Sequence, residues 1–173
     1  MSRFYLIASL PALELNASAP ITYAEFLQSC ILWLSAKECA VVEALLYGKS
    51  SDHPFVAALM NKETILRNAL VRIRARASGQ DATLYTRDAH GCDLKLESEV
   101  EDAVSHANPL QKERNLDRIR WNIIQELGGV DPLSIRTIFA YAAQLAIVTR
   151  WSARSTDAGQ KTFEELSEVP VTL

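Results

Sequence analysis

Glycine-rich phosphate loops, paired cysteines and membrane-length apolar runs are all missing from this sequence, and each absence removes a class of function. The 173 residues include 6 glycines and 6 prolines, too few for long disordered stretches or low-complexity linkers. No glycine cluster opens a helix as a phosphate-cradling loop must, and GxSxG and HExxH are absent, so there is no nucleophile elbow and no zinc-protease helix. Three cysteines, Cys30, Cys39 and Cys92, form no CxxC pair and leave an odd number, the pattern of free thiols in a reducing compartment. The longest apolar run, Ile138 to Val148, contains Gln144 and is too short to span a bilayer, so direct membrane insertion is not expected.

An excess of positive charge is missing too. A net charge of −3 and a pI near 5.6 argue against a nucleic-acid or anionic-lipid binder, which collects its polyanion with a positive field. Any basic function has to be local. What is present is ordinary for a soluble globular chain, 49% hydrophobic and 23% charged. A chain of this length buries roughly two thirds of its unfolded surface without a disulfide or metal staple. At the N-terminus Arg3, the apolar run Phe4 to Leu10 and Ala17-Ser18-Ala19 mimic a secretory leader. Pro11, Glu14 and Pro20 fit one poorly, and a cytoplasmic location is the expectation.

Period-two alternation is lacking throughout, whereas helix signals recur from end to end, so the fold class is all-α. Thr22 to Glu25 and Ser35 to Glu38 are capping boxes, in which hydroxyl and carboxylate satisfy exposed N-terminal amides. The first opens a helix from about Tyr23 to Leu34 with Tyr23, Phe26, Leu27, Cys30, Trp33 and Leu34 on one stripe. The second opens a helix that runs to Tyr47 and stops at Gly48. Pro54 suits the start of a short helix through Met60, and a second helix runs from Lys62 to Ala77, closed by Gly79. From Gly79 to Cys92 periodicity disappears; Thr83 to Thr86 is at best a brief extended piece, and this is the segment expected to be most mobile. A polar helix from Glu97 to Ala107 follows. Two long helices start at caps Asn108 and Asp131, each with proline in the first turn (Pro109, Pro132), and a short one covers about Ala158 to Glu168.

About seven helices thus form a multi-helix array or bundle, read as one domain over 1–173 with lobes 1–78 and 94–173 joined by the loop 79–93. Arg67-Asn68-Ala69-Leu70-Val71-Arg72-Ile73-Arg74 echoes Arg114-Asn115-Leu116-Asp117-Arg118-Ile119-Arg120, which suits two pseudo-repeated lobes as well as chance does.

Candidate chemistry is sparse. Arg67 and Arg74 fall on one shoulder of their helix's apolar stripe and Arg72 and Arg76 near the other, the disposition of solvated flanks rather than of a clamp on one anion. Asp88, His90, Cys92 and Asp93 sit together in RDAHGCD. Zinc needs four convergent donors at recognised spacings, so a polar loop is the plainer reading and neither metal nor cofactor is assigned. Cys30 and Cys39 lie on apolar helix sides, where a thiol is a small hydrophobe.

The last two long helices say more. Leu116, Ile119, Ile123 and Leu127 make the stripe of the first; Arg120 lies at its edge, where a guanidinium snorkels or finds a carboxylate, Asp117 being one turn back. Trp121 points away and must pack on a second neighbour. In the second, Ile135, Ile138, Phe139, Ala142, Leu145 and Ala146 make one face and Leu133, Val148 and Trp151 another, with Arg136, Arg150 and Arg154 along an edge between them. A helix this apolar is the centre of a bundle or is partly covered by another chain. Trp and Arg are favoured interface anchors, which makes Arg136, Arg150, Trp151 and Arg154 the candidates for a partner surface. Asp117, Arg120 and Trp121 are the candidates for holding the bundle together.

The opening Phe4-Tyr5-Leu6-Ile7-Ala8-Ser9-Leu10-Pro11, the Asn108-Pro109-Leu110 start, Arg118-Ile119-Arg120-Trp121, and the run from Tyr141 through Gln144 to Arg150-Trp151 together resemble an uncharacterised bacterial family. The genes of that family lie among those of the V/A-type ATPase. The resemblance extends from Phe4 to the Phe163-Glu164-Glu165-Leu166 tail. Members of the family look like relatives of the C (or d) component of that ATPase, an all-helical coupler that seats the central shaft on the membrane rotor ring and is built from repeated helical units. This chain is about half the length of the full coupler, so part of that architecture is implied. The resemblance implies a non-enzymatic subunit or assembly factor, working by protein-protein contact as a central-stalk coupling adaptor in ion transport and ATP synthesis. Its expected partners are other V/A-type ATPase subunits, shaft and ring, and its place is the cytoplasm, peripheral on the inner face of the cell membrane where it meets the ring. Two other readings stay open: a small enzyme or metal or small-molecule binder using Asp88, His90 and Cys92, and a homodimeric scaffold pairing through Trp151.

Overall fold

The computed structural model describes residues 2–154, and among them the protein is all-α, with seven helices and no strand. They are α1 (Ser2–Ser9), α2 (Tyr23–Trp33), α3 (Ala36–Tyr47), α4 (Pro54–Ser78), α5 (Leu94–Ser105), α6 (Pro109–Gly128) and α7 (Ile135–Ser152). The helix expected near Ala158 to Glu168 lies outside the described residues.

Local capping explains many of these boundaries. Both capping boxes close: the Thr22 and Ser35 hydroxyls accept from the backbone N–H of Glu25 and Glu38, whose carboxylates accept from the backbone N–H of Thr22 and Ser35. Only Leu34 and Ser35 separate α2 from α3, so the two boxes set the turn between them. α3 ends on Gly48 at φ 64°, a left-handed conformation that glycine adopts without Cβ strain.

Four boundaries differ from those expected. α4 is one continuous helix across Met60, because no residue there breaks the ladder and the Asn61 side chain turns outward instead of capping a new start. α5 begins at Leu94, since Asp93 accepts from Leu96 N–H and caps it. α7 begins at Ile135. Asp131 and Pro132 form a separate turn, in which Asp131 accepts from Leu133 N–H, and Ser134 takes the cap. The run from Phe4, leader-like in sequence, folds as α1, with Leu6 fully buried.

Two buried clusters form. In one, Ile138, Phe139, Ala142 and Leu145 of α7 pack against Phe26 and Cys30 of α2, Val42 and Leu45 of α3, Leu6 of α1 and the first turn of α4, Phe55 and Val56. In the other, Ile65, Leu66 and Ala69 of α4 meet Leu96 and Val100 of α5 and Leu116, Ile119 and Ile123 of α6. Leu59 and Leu127 border both. The clusters do not part at the loop 79–93. α4, about 37 Å long at ~1.5 Å per residue, feeds one with its start and the other with its middle, and α7 packs among the N-terminal helices. The two halves of the internal echo also occupy different settings: Asn68 is buried against the 79–93 loop, whereas Asn115 accepts from Gln111 on its own helix.

α6 and α7 approach almost to backbone contact at one point. A Cβ placed on Gly128 would sit 3.0 Å from the Ala140 Cβ, so only glycine fits there without a shift of one helix. Trp33, expected on the buried stripe of α2, instead stands partly exposed and stacks on Tyr5 of α1 with ring centroids 5.9 Å apart.

The loop from Gly79 to Asp93 is tied down. Asn68 accepts from Arg87 N–H at 2.9 Å and donates to Arg87 C=O at 2.7 Å. Asn61 does the same for His90 at 2.7 and 2.8 Å. Each amide pairs with one residue's backbone as a neighbouring strand would. Between Gly79 and these clamps, Ala82–Leu84 forms a 3₁₀ turn capped by Asp81, not an extended piece. Truncating the buried amide, Asn68→Ala, should cost about 1–3 kcal/mol in urea unfolding and speed hydrogen exchange at the Arg87 amide. Asn61→Ala should loosen His90 with a smaller effect on global stability. Unchanged exchange at Arg87 in Asn68→Ala would contradict the clamp.

Candidate functional site

The polar centre of the molecule is Asp117 of α6, 1% exposed and held by donors from two helices. Arg120, one turn on, donates Nη1–H to Oδ1 at 2.9 Å. From α7, Arg150 Nη2 reaches both carboxylate oxygens at 2.6 Å, and Trp151 Nε1–H donates to Oδ2 at 2.7 Å. Arg120 turns its other side to α4, where Glu63 accepts from Nε at 2.9 Å and from Nη2 at 3.1 Å. Glu63 also holds Arg67. The chain Arg67, Glu63, Arg120, Asp117, Arg150 and Trp151 therefore crosses three helices. Burial alone would disfavour the Arg120 cation, but Glu63 and then Asp117 outweigh it and hold the group more firmly charged than an ordinary arginine.

This network redistributes the expected roles. Arg150 and Trp151, read from the sequence as parts of a partner surface, both direct their donors inward to Asp117. A carboxylate this buried needs every nearby donor, and α7 brings two past it in consecutive residues. Arg120 and Asp117 sit inside the bundle. Trp121 is half-buried and lines a shallow groove with Ile7, Leu10, Pro11 and Tyr141, while the Tyr141 hydroxyl donates to Pro11 C=O at 3.0 Å. Arg136 is exposed in the first turn of α7, 14 positions before Arg150 (150 − 136) and hence about 21 Å away along the axis at ~1.5 Å per residue. The expected arginine edge is thus not one patch.

Arg154 remains exposed, and it is joined by a residue to which the sequence pattern assigned no role. The Arg154 guanidinium carbon lies 5.1 Å from the Trp151 ring centroid, and that of Arg114, from the first turns of α6, lies 5.8 Å from it. Beside them opens a cleft of about 430 Å³, walled by Leu15 to Ser18, Leu110, Trp151 and Ser152. Its floor is steadied by the Ser152 hydroxyl, which accepts from Ala19 N–H at 2.8 Å. Arg114 stands one turn before Asp117 but is not among its ion-pair partners; its setting is made by Trp151 of the facing helix, which the pattern of α6 alone does not reveal.

The loop constellation does not converge. Asp88, His90 and Cys92 are all exposed, and Asp93 is engaged by Lys62 and by the α5 cap. These two contacts, Lys62 first, hold the Asp93 carboxyl below its ordinary value. His53 caps α4 through Nδ1, and His106 ends α5. Among the described residues no group of three His, Cys, Asp or Glu side chains is placed to hold a metal ion. Of the thiols, Cys30 is buried and pushed up to about 12 by burial and then by Cys39, while Cys39 is raised in its turn by burial, Glu38 and Glu43.

A second exposed feature is aromatic. Tyr5 stacks on Trp33, and Phe4 meets Tyr5 edge-on at 5.8 Å. Leu32, in the same turn as Trp33, is 74% exposed. The three rings touch in sequence yet leave much of their apolar surface in water.

Asp117→Ala should destabilise the fold by about 1–3 kcal/mol, because the Trp151 indole N–H loses its acceptor while Arg120 keeps Glu63 and Arg150 keeps contact with water, and Asp117→Asn should cost less because it keeps the acceptor oxygen. Chemical unfolding of both variants checks the order. A thiol-specific disulfide reagent at neutral pH should label Cys92 fastest, Cys39 slowly and Cys30 only on unfolding. Fast labelling of Cys30 in the folded protein would contradict its burial.

No curated protein and no solved structure matches the chain. A family model described as protein of unknown function (DUF2764) matches residues 46–169, which include α4 to α7, the Asp117 network and both arginines that flank the Trp151 ring. The chain belongs to that family.

Proposed function

We propose that this chain is a non-enzymatic helical subunit or assembly factor of a V/A-type ATPase, acting as a coupling adaptor in the central stalk through protein-protein contacts. The observation that carries the reading is the exposed cluster of Phe4, Tyr5, Leu32 and Trp33 at the α1–α2 corner. Monomeric soluble proteins rarely leave stacked aromatics and a neighbouring leucine in water without a use, and Trp and Tyr are the preferred anchors of protein interfaces. The choice of partner follows from the resemblance of the Phe4 to Pro11 and Tyr141 to Trp151 segments to the ATPase-linked family. The Asp117 network supports the mechanical part of the role. Charge-assisted bonds across α4, α6 and α7 resist relative sliding better than apolar contacts, which are non-directional, and a coupler must not shear when load passes through it. No helix of the described residues is long and apolar enough to cross a membrane, so the adaptor would reach the rotor ring through other subunits or at the membrane's inner face.

Affinity purification of the full chain from its native host, with identification of what is recovered, is the test. Wild type should bring down shaft or ring subunits of the ATPase, and Trp33→Ala combined with Leu32→Glu should reduce that recovery about tenfold or more, as loss of a central aromatic anchor does. Recovery of no ATPase subunit while the complex is intact in the lysate would sink the proposal.

A further inference from the structure

We infer that the cleft at Arg114, Trp151 and Arg154 is a docking site for an acidic segment of a partner protein, one that presents a carboxylate side chain beside an aliphatic one. The inference goes beyond the adaptor reading: it concerns a second surface, names the chemistry of its occupant, and holds whether or not that occupant is an ATPase subunit.

Three features of the site converge on this ligand. Trp151 is fixed before anything binds, because its indole N–H is already given to Asp117 at 2.7 Å; the ring is a rigid platform, and little side-chain entropy is lost on docking. Arg114 and Arg154 both lie over that ring, and among the described residues neither is within ion-pair distance of a carboxylate. Contact with the indole leaves the guanidinium edges available, and a guanidinium edge accepts a carboxylate through two parallel hydrogen bonds. Finally, the cleft is not a bare cationic spot. Leu15 and Leu110 wall it on the apolar side and Asn16 adds an amide, with a volume of about 430 Å³, room for an aliphatic side chain beside the charged one. A free phosphate would leave those leucine walls empty. With the whole chain at −3 there is no general positive field to gather an extended polyanion, so two guanidinium groups over one ring favour a single docked acidic segment.

The full-length chain, isotopically labelled for NMR, is titrated with a blocked peptide of alternating glutamate and leucine, with its glutamine-leucine counterpart, and with inorganic phosphate. Expected are shifts of the Trp151 indole N–H and the Arg114 and Arg154 Nε–H signals with the acidic peptide. Binding should be weakened about tenfold or more in Arg114→Gln with Arg154→Gln, as loss of two charge-assisted contacts requires. Both substitutions are of exposed side chains, and an unchanged indole position in the free double variant confirms that the Trp151 platform is intact. Equal shifts from the glutamine peptide, equal shifts from phosphate, or no shift at millimolar acidic peptide would each overturn the proposal. So would movement of the Glu164, Glu165 and Glu168 signals in the free double variant, which would make the chain's own C-terminal residues the occupant. These outcomes are independent of the purification experiment, so the cleft and the ATPase assignment can fail separately.

Discussion

A single carboxylate with almost no access to water governs how the C-terminal half of this protein is put together. Taking an ionised aspartate out of water costs several kcal/mol, and the cost is offset only where good donors surround both oxygens. At Asp117 they come from Arg120 on the same helix and from Arg150 and Trp151 on the next. Glu63 then balances the charge of Arg120 from α4. Apolar packing alone tolerates sliding and rotation of one helix on another; this arrangement does not, because a displacement of about one ångström breaks hydrogen bonds of 2.6 to 2.9 Å.

The same network decides what is left for the outside. It commits donors of Arg150 and the Trp151 N–H inward, although 44% of the Arg150 side chain stays exposed, and by fixing the indole it turns the remaining ring face into a platform between Arg114 and Arg154. At the α1–α2 corner the exposed side chains are aromatic and aliphatic instead. The two regions differ in chemistry as well as position: one suits charge and the other suits apolar area.

Much of the helical framework is legible in residues whose meaning is local. Thr22 with Glu25, Ser35 with Glu38, Gly48, Gly79 and Asn108 act at the ends expected of them, because a cap is decided within four residues. Where sequence pattern and structure part, two local signals compete or a distant partner decides. Asp131-Pro132 and Ser134 both resemble helix starts, and the later one takes the cap. Asn61 looks like a boundary because its role, a pair of bonds to His90, depends on a loop 29 residues away. Trp33 falls on the apolar stripe of α2 by its spacing, yet its neighbour is the exposed Tyr5. In the site, Asp117 is visible as a partner for Arg120 because the two are one turn apart. Its contact with Arg150 and Trp151 is not, since a helical wheel shows which face a residue occupies and not what the facing helix brings to it. Arg114 escapes notice for the same reason.

The close approach at Gly128 has a geometric consequence for α6 and α7. The helices run antiparallel, so the C-terminal end of α6 lies by the start of α7, where nothing larger than a methyl group separates them. At the other end a carboxylate, two guanidinium groups and an indole stand between or beside them. The cleft opens at that far end, between the start of α6, the end of α7 and the segment from Leu15 to Ser18. A side chain at Gly128 would press on the Ala140 Cβ and force the helices apart by a few tenths of an ångström, so a glycine with no polar chemistry of its own sets how closely α6 and α7 approach, roughly 20 Å along α6 from the cleft by the ~1.5 Å rise of a helix.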